Sequence, residues 1–288
     1  MSQSFDLKKI IIGTANFGLS YGIKPKKIIN KEILKILNYS SKIGIDTIDT
    51  AKNYGNSENI IGKHNSNKFK IISKLPKLDK KIKNVNLHIE KLILDTLKKL
   101  KCRSIYAILI HDPETLMNKN GKKIFNILQQ LKQRGLITKI GVSIYDFSQI
   151  NFLIKKYNLD ILQVPFNIVD RRLIEKKILE KLNKKHIEIH IRSIFLKGLL
   201  LKKNPPKKFI KWKNIWLSLK RYKKNSELKN LTYCIQFVKK YSKIDRIIIG
   251  VDTLGQFKEI IKEFKTKRKI SIPNISSNDK KLINPSLW

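Results

Sequence analysis

A single (β/α)8 TIM barrel, with residues 1–288 forming one domain, is the fold this sequence predicts. Eight short apolar runs alternate with helical or loop segments along the 288 residues, without an internal repeat or a linker. A hydrophobic content of 41% at this length is enough for one sizeable core. Residues able to do chemistry directly follow several of the runs, and in a parallel barrel every strand's C-terminal end faces the same mouth.

The first run, 7–12, is bounded by lysines, closes in Gly13-Thr14 and reads as a buried strand. Asn16-Phe17-Gly18 through Tyr21-Gly22 then form a glycine-punctuated loop. Ile33, Leu34, Ile36, Leu37 and Ile43 recur near helical spacing and predict a helix over 30–43. The second strand, 45–48, ends in Asp49, a charge that is costly to bury unless paired. Tyr54 follows on a loop that Gly55 and Asn56 mark as a turn, and Ser57 is placed as the N-cap of a short helix. Taken alone, Asp49 reads equally well as a helix cap and Tyr54 as a half-buried aromatic.

A third strand spans 69–73, with Lys74 at its end, and a helix over 84–100 sets Val85, Ile89, Leu92, Ile93 and Leu97 against Lys91, Asp95 and Lys98. The fourth strand, 105–110, ends in His111. A lone histidine is more often structural than catalytic, but position changes that weighting, because Asp49, Lys74 and His111 end consecutive strands and so converge. Strand five, 137–142, ends in Ser143 before a helix over 146–157. Strand six, 160–164, carries Gln163 in its C-terminal half, before a helix over 172–184. Strand seven, 187–191, precedes Arg192-Ser193, and strand eight, 244–249, ends in Gly250. The extended loop after strand seven, 195–225, holds Pro205-Pro206 and many lysines, and reads as a lid or substrate loop with a short helix. Trp212 and Trp216, four apart, could stack on bases, but the plainer account is two indoles on one helical face packing on the barrel.

The formal charge of +40 invites a nucleic-acid reading. Yet only 8 of the 62 basic residues are arginines and the lysines run evenly along the chain, whereas a nucleic-acid surface clusters its charge and uses arginine. No specific nucleic-acid partner is therefore expected. Cys102 and Cys234 fit neither a metal-ligand spacing nor a disulfide framework. No long apolar run opens the chain, so neither a signal peptide nor a membrane span is read there. The expectation is a cytoplasmic protein without metal or membrane partner.

The run Asp49-Thr50-Ala51-Lys52-Asn53-Tyr54-Gly55-Asn56-Ser57-Glu58 resembles the acid-Thr-Ala-x-x-Tyr-Gly-x-Ser-Glu signature of the aldo/keto reductases. The resemblance extends over essentially the full length and implies a catalytic tetrad of Asp49, Tyr54, Lys74 and His111. It implies NAD(P)H-dependent reduction of an aldehyde or ketone to an alcohol. In that scheme Tyr54 donates the proton, Lys74 lowers the pKa of the phenol, Asp49 holds Lys74, and His111 orients the carbonyl. It further implies cofactor contacts at Gly13, Thr14, Asp49, Ser143, Gln163, Ser193, Gly250, Asp252 and Gln256. Ile144 departs from the asparagine common in the family, Arg192 from the tyrosine that often stacks on nicotinamide, and Tyr106 from a usual strand-four acid.

Family habit favours NADP(H); Asp252 near the ribose speaks for NADH by repelling a 2'-phosphate, against which Lys258 or Lys262 could swing round. Both cofactors stay open. Arg192-Ser193 with Leu196-Lys197-Gly198-Leu199-Leu200 looks like a bacterial branch often encoded with surface-polysaccharide genes, which implies a sugar-type carbonyl as small-molecule substrate. The alternative is an NAD(P)H-binding regulatory or redox-sensing barrel with little turnover.

Overall fold

The computed structural model describes residues 5–288 apart from 21, 24–26, 65–67, 80, 176 and 224–227. Tyr21 of the glycine-punctuated loop and residues 224 and 225 of the long loop thus lie outside the described residues. The strands are β1 (Ile10–Gly13), β2 (Thr47–Asp49), β3 (Lys70–Leu75), β4 (Ile105–Ile110), β5 (Ile137–Ser143), β6 (Ile161–Pro165), β7 (Glu188–Arg192) and β8 (Arg246–Gly250). They close a parallel barrel in chain order, with β8 pairing back onto β1. Strands buried on both faces explain the near-continuous isoleucine runs. Ile10 and Ile12 join the large core shared with the helices, while Ile11, Ile72, Ala107, Leu109, Ile161 and Ile248 form a separate cluster inside the barrel.

Register aligns the strand ends that matter. Gly13 lies beside both Asp49 and Gly250, Ser143 beside Gln163, and Pro165 beside Arg192.

The elements differ from the sequence reading in identifiable ways. Residues 7–9 form a 3-10 turn rather than strand, because the Asp6 side chain accepts from the Lys8 amide and caps it. The helix read over 172–184 is two pieces, Arg172–Glu175 and Ile178–Lys184, with Lys177 between them in the left-handed region at φ 52°. The connection after β7 holds 3-10 turns at Leu199–Leu201 and Lys207–Trp212 and an eleven-residue helix, Lys213–Lys223, before the buried helix Asn230–Lys239. The two tryptophans do not share a face. Trp216 is buried and donates to the Lys202 carbonyl, 3.1 Å, whereas Trp212 sits in the preceding turn and donates to Asp279, 3.2 Å. Among the described residues no helix is long and apolar enough to cross a membrane.

Candidate active site

Asp49 ends β2, Lys74 stands one residue before the end of β3, and His111 follows β4 directly. Lys74 Nζ donates to Asp49 Oδ1 at 2.6 Å and to the Thr50 carbonyl at 2.9 Å. Gln163 Nε2 donates to the other carboxylate oxygen at 2.8 Å, and Ser143 Oγ donates to Gln163 Oε1 at 3.0 Å. One chain of hydrogen bonds thus crosses the barrel from β3 to β5. Asp49 and Lys74 are each 3% exposed, so the pairing that a buried Asp49 demands is met. Gln163 keeps one amide hydrogen and one lone pair uncommitted.

Tyr54 is placed by close backbone packing. A Cβ on Gly18 would stand 1.9 Å from the Tyr54 carbonyl oxygen, and Gly55, at φ 56°, would carry its Cβ to 2.6 Å from the Gly18 carbonyl oxygen. Only glycine at both positions allows this approach. Ser57 does not serve as the N-cap expected of it. It is the first residue of the helix Ser57–His64, and its buried hydroxyl donates to Thr14 Oγ1 at 2.9 Å and accepts from Thr50 Oγ1 at 3.1 Å, tying the Tyr54 loop to β1 and β2. The Tyr54 and His111 rings meet edge-on, centroids 6.1 Å apart, and Lys74 Nζ lies 5.0 Å from the Tyr54 ring centroid.

The electrostatics correct one expectation. Tyr54 is half-buried, and surrounding protein desolvates its hydroxyl and, with the Asp49 charge, pushes its pKa well above the ordinary value; Arg192 opposes that rise. Lys74, whose ammonium is bound to Asp49, is itself pulled below its usual pKa by burial. Burial, reinforced by the Lys74 charge, brings His111 down to about 4, so its ring is neutral near pH 7.

Gly13, Thr14, Asp49, Tyr54, His111, Ser143, Gln163, Ser193, Gly250, Asp252 and Gln256 all line one cavity of about 680 Å³ at the C-terminal ends of the strands. Lys74 lies behind Asp49 and does not reach it. Asp252 accepts from Asn16 Nδ2 at 3.0 Å, and its amide donates to Gln256 Oε1 at 3.1 Å. Lys258 and Lys262, read as able to swing in, are not in the wall; Lys258 sits 5.7 Å from the Tyr39 ring. The lysines that do line it are Lys197, Lys202, Lys203 and Lys229, the last paired with Glu259 at 2.7 Å. Sequence reasoning also missed Asn16 and Tyr145. Both lie close behind strand ends, which was the available signal.

The cavity fits an elongated polar ligand such as a dinucleotide. Gly13 and Gly250 lie side by side without side chains, and a Cβ on Gly250 would have no nearer neighbour than the Gly13 carbonyl, 3.8 Å away. Two wall residues, Asn16 and Asn230, each hold a buried Oδ1 with no protein partner. Among the described residues no group of histidine, cysteine or acidic side chains could hold a metal ion.

Residues 9–282 match the model of the aldo/keto reductase family. Among solved structures, the holo form of aldo-keto reductase AKR11C1 from Bacillus halodurans is similar at TM-score 0.74 and 16% identity, over 91% of this chain and 88% of that one. The glycerol dehydrogenase AKR11B4 from Gluconobacter oxydans is similar at TM-score 0.70 and 22% identity, over 91% and 87%. No curated protein matches the sequence. The structural likenesses carry the fold; the family match rests on the chain's own sequence.

Proposed function

The chain belongs to the aldo/keto reductase family, whose members are nicotinamide-dependent oxidoreductases acting on carbonyl compounds, and we propose that residues 1–288 form one catalytic unit that reduces an aldehyde or ketone with Tyr54 as proton donor. The observation that carries the reading is the meeting of Tyr54 and His111 in a cavity lined by Asp49, with Lys74 bound behind it. A phenol held protonated is suited to donate to a carbonyl oxygen that gains negative charge. His111, neutral near pH 7, offers a ring N–H to the same oxygen and fixes its direction. Asp49 and Thr50 hold Lys74, whose ammonium stabilises the tyrosinate left behind after transfer.

A bound nicotinamide supplies the hydride. Gln163 and Ser143 would hold its carboxamide through the amide hydrogen and lone pair that remain uncommitted. Gly13, Thr14 and Ser193 would line its path, with Gly250, Asp252 and Gln256 toward the adenosine end. We take NADP(H) as the cofactor, since Lys202, Lys203 and Lys229 can supply a cation for a 2'-phosphate. The exposed Asp252 opposes it. Calorimetric titration with both reduced cofactors decides: tighter NADH binding, reversed by Asp252→Lys, overturns the assignment. A sugar-type carbonyl is the substrate class in view, and a chain with only two cysteines, Cys102 and Cys234, supports a reducing cytoplasmic setting.

Tyr54→Phe tests the mechanism. With a carbonyl that the wild type turns over, kcat should fall roughly 10²- to 10⁴-fold while cofactor affinity holds. Unchanged turnover sinks the role. Cofactor binding with no turnover across aldehydes, quinones and keto-sugars would favour a sensing barrel instead.

A further inference from the structure

Arg192, the last residue of β7, sits in the wall of the same cavity as Tyr54 and His111. Its charge acts on Tyr54, Lys74 and His111 alike, which places the guanidinium at the reacting end of the cavity. The guanidinium carbon lies 3.7 Å from the centroid of the Tyr145 ring, flat-contact distance for a cation on an aromatic face. Nη2 donates to the Ile144 carbonyl at 2.9 Å, and Nη1 makes one long contact of 3.5 Å with Ser193 Oγ. Together these fix the plane of the group.

What Arg192 lacks is an acid. The side chain is half-buried, yet among the described residues no carboxylate stands within 4.0 Å of it. The cavity acids are committed elsewhere: Asp49 to Lys74 and Gln163, Glu259 to Lys229, Asp252 to Asn16. Arg172 and Arg246 differ, pairing with Asp170 at 2.8 Å and with Asp46 at 3.4 Å, and Arg171, which also lacks an acid, donates to the Ile168 and Pro273 carbonyls and lies outside the cavity wall. An arginine fixed in place and left without an anion presents a planar fork that matches a carboxylate.

Resting on the reductase reading above, we propose that the substrate is a carbonyl compound bearing a carboxylate, an oxo acid or an aldehydic sugar acid, and that Arg192 on its Tyr145 platform takes that carboxylate. Tyr54 and His111 meet the carbonyl oxygen while Arg192 holds the acid group, so the two ends of the substrate fix the carbonyl face. Neutral carbonyl compounds would bind without that second anchor.

The test uses matched pairs, 4-carboxybenzaldehyde against 4-nitrobenzaldehyde and succinic semialdehyde against butanal. The wild-type ratio of kcat/KM, acid over neutral, should favour the acid, and Arg192→Gln should lower that ratio about 10- to 100-fold, with the change in KM. Arg192→Lys should restore part of it by supplying the charge without the fork. Calorimetry with the cofactor separates the sources of the anion: a loss of cofactor affinity in Arg192→Gln as large as the loss in the acid's kcat/KM would assign the fork to a cofactor phosphate and overturn the proposal. A ratio near one in the wild type, or unchanged in Arg192→Gln, would also overturn it. If no carbonyl is turned over, the reductase reading fails by itself, and binding of 4-carboxybenzoate, weakened by Arg192→Gln or not, still decides the role of Arg192.

Discussion

The two ends of this barrel both carry lysine–carboxylate pairs, and only one of them looks like a site. At the N-terminal end Asp46 accepts from Thr47 at 2.7 Å, Lys70 at 3.1 Å and Arg246 at 3.4 Å. Beside it Lys139 bonds to Glu188 and, at 2.8 Å, to the Tyr106 hydroxyl, while Glu188 also meets His190 at 3.2 Å. The two acids find their partners within these clusters, and His190 Nδ1, buried without one, lies away from the cavity wall. At the mouth the Asp49–Lys74 pair is equally satisfied, but the Tyr54 hydroxyl, the His111 ring and the Arg192 fork face open cavity. Paired charge marks structure at either end; polar groups left without a partner beside a cavity mark where a ligand belongs.

Cutting one pair at each end should widen the contrast. Lys74→Met strands a carboxylate that is 4% exposed and should cost about 3–5 kcal/mol in urea unfolding. Lys139→Met leaves Glu188, whose side chain is 30% exposed, to water and His190, and should cost about 1 kcal/mol or less. Equal losses would mean that depth does not distinguish the two ends.

The smaller effect is a separation along the pH axis. Folding lowers the His111 pKa from 6.5 to about 4, so it favours the neutral ring; that stabilisation is whole above pH 6.5 and is lost as pH falls toward 4. Burial alone would raise Glu188, but hydrogen bonds from His190 and Lys139 hold its carboxyl at about 2, below the ordinary 4.5. Its stabilisation is whole above pH 4.5 and is lost as pH falls toward 2. Unfolding midpoints measured against pH should therefore flatten in the upper window for His111→Phe and in the lower one for Glu188→Gln. Both variants flattening the same window would erase the distinction.

The mouth was the more legible end in the sequence, for a geometric reason. Parallel strands deliver their C-terminal residues to one place, so Asp49, Lys74, His111, Ser143 and Gln163 could be gathered from strand order alone. The floor cluster could not, because Glu188, Lys139 and Asp46 look like any other charged residue flanking an apolar run. Local rules also gave way where tertiary contacts intervened. Ser57 had the right residue type for a cap but turned its hydroxyl to Thr14, and Leu7 extended an apolar run that Asp6 had already bent into a turn. Tyr145 acquires meaning only from the Arg192 guanidinium that lies on it, a contact across 47 residues of chain for which no spacing rule exists.

The hydrogen bond from Trp216 to the Lys202 carbonyl gives the protein an optical reporter of its own. That carbonyl also accepts from Asn230 at 2.9 Å, and Lys202 and Asn230 both line the cavity. The other two indoles bond elsewhere, Trp212 to Asp279 and Trp288 to the Lys281 and Leu282 carbonyls. A ligand that shifts Lys202 therefore alters the polarity around Trp216, while Trp212, bonded to Asp279 outside the cavity wall, serves as an internal reference. The emission maximum of the unlabelled protein, read with Trp216→Phe as the blank, then follows the arrival of a ligand beside Lys202.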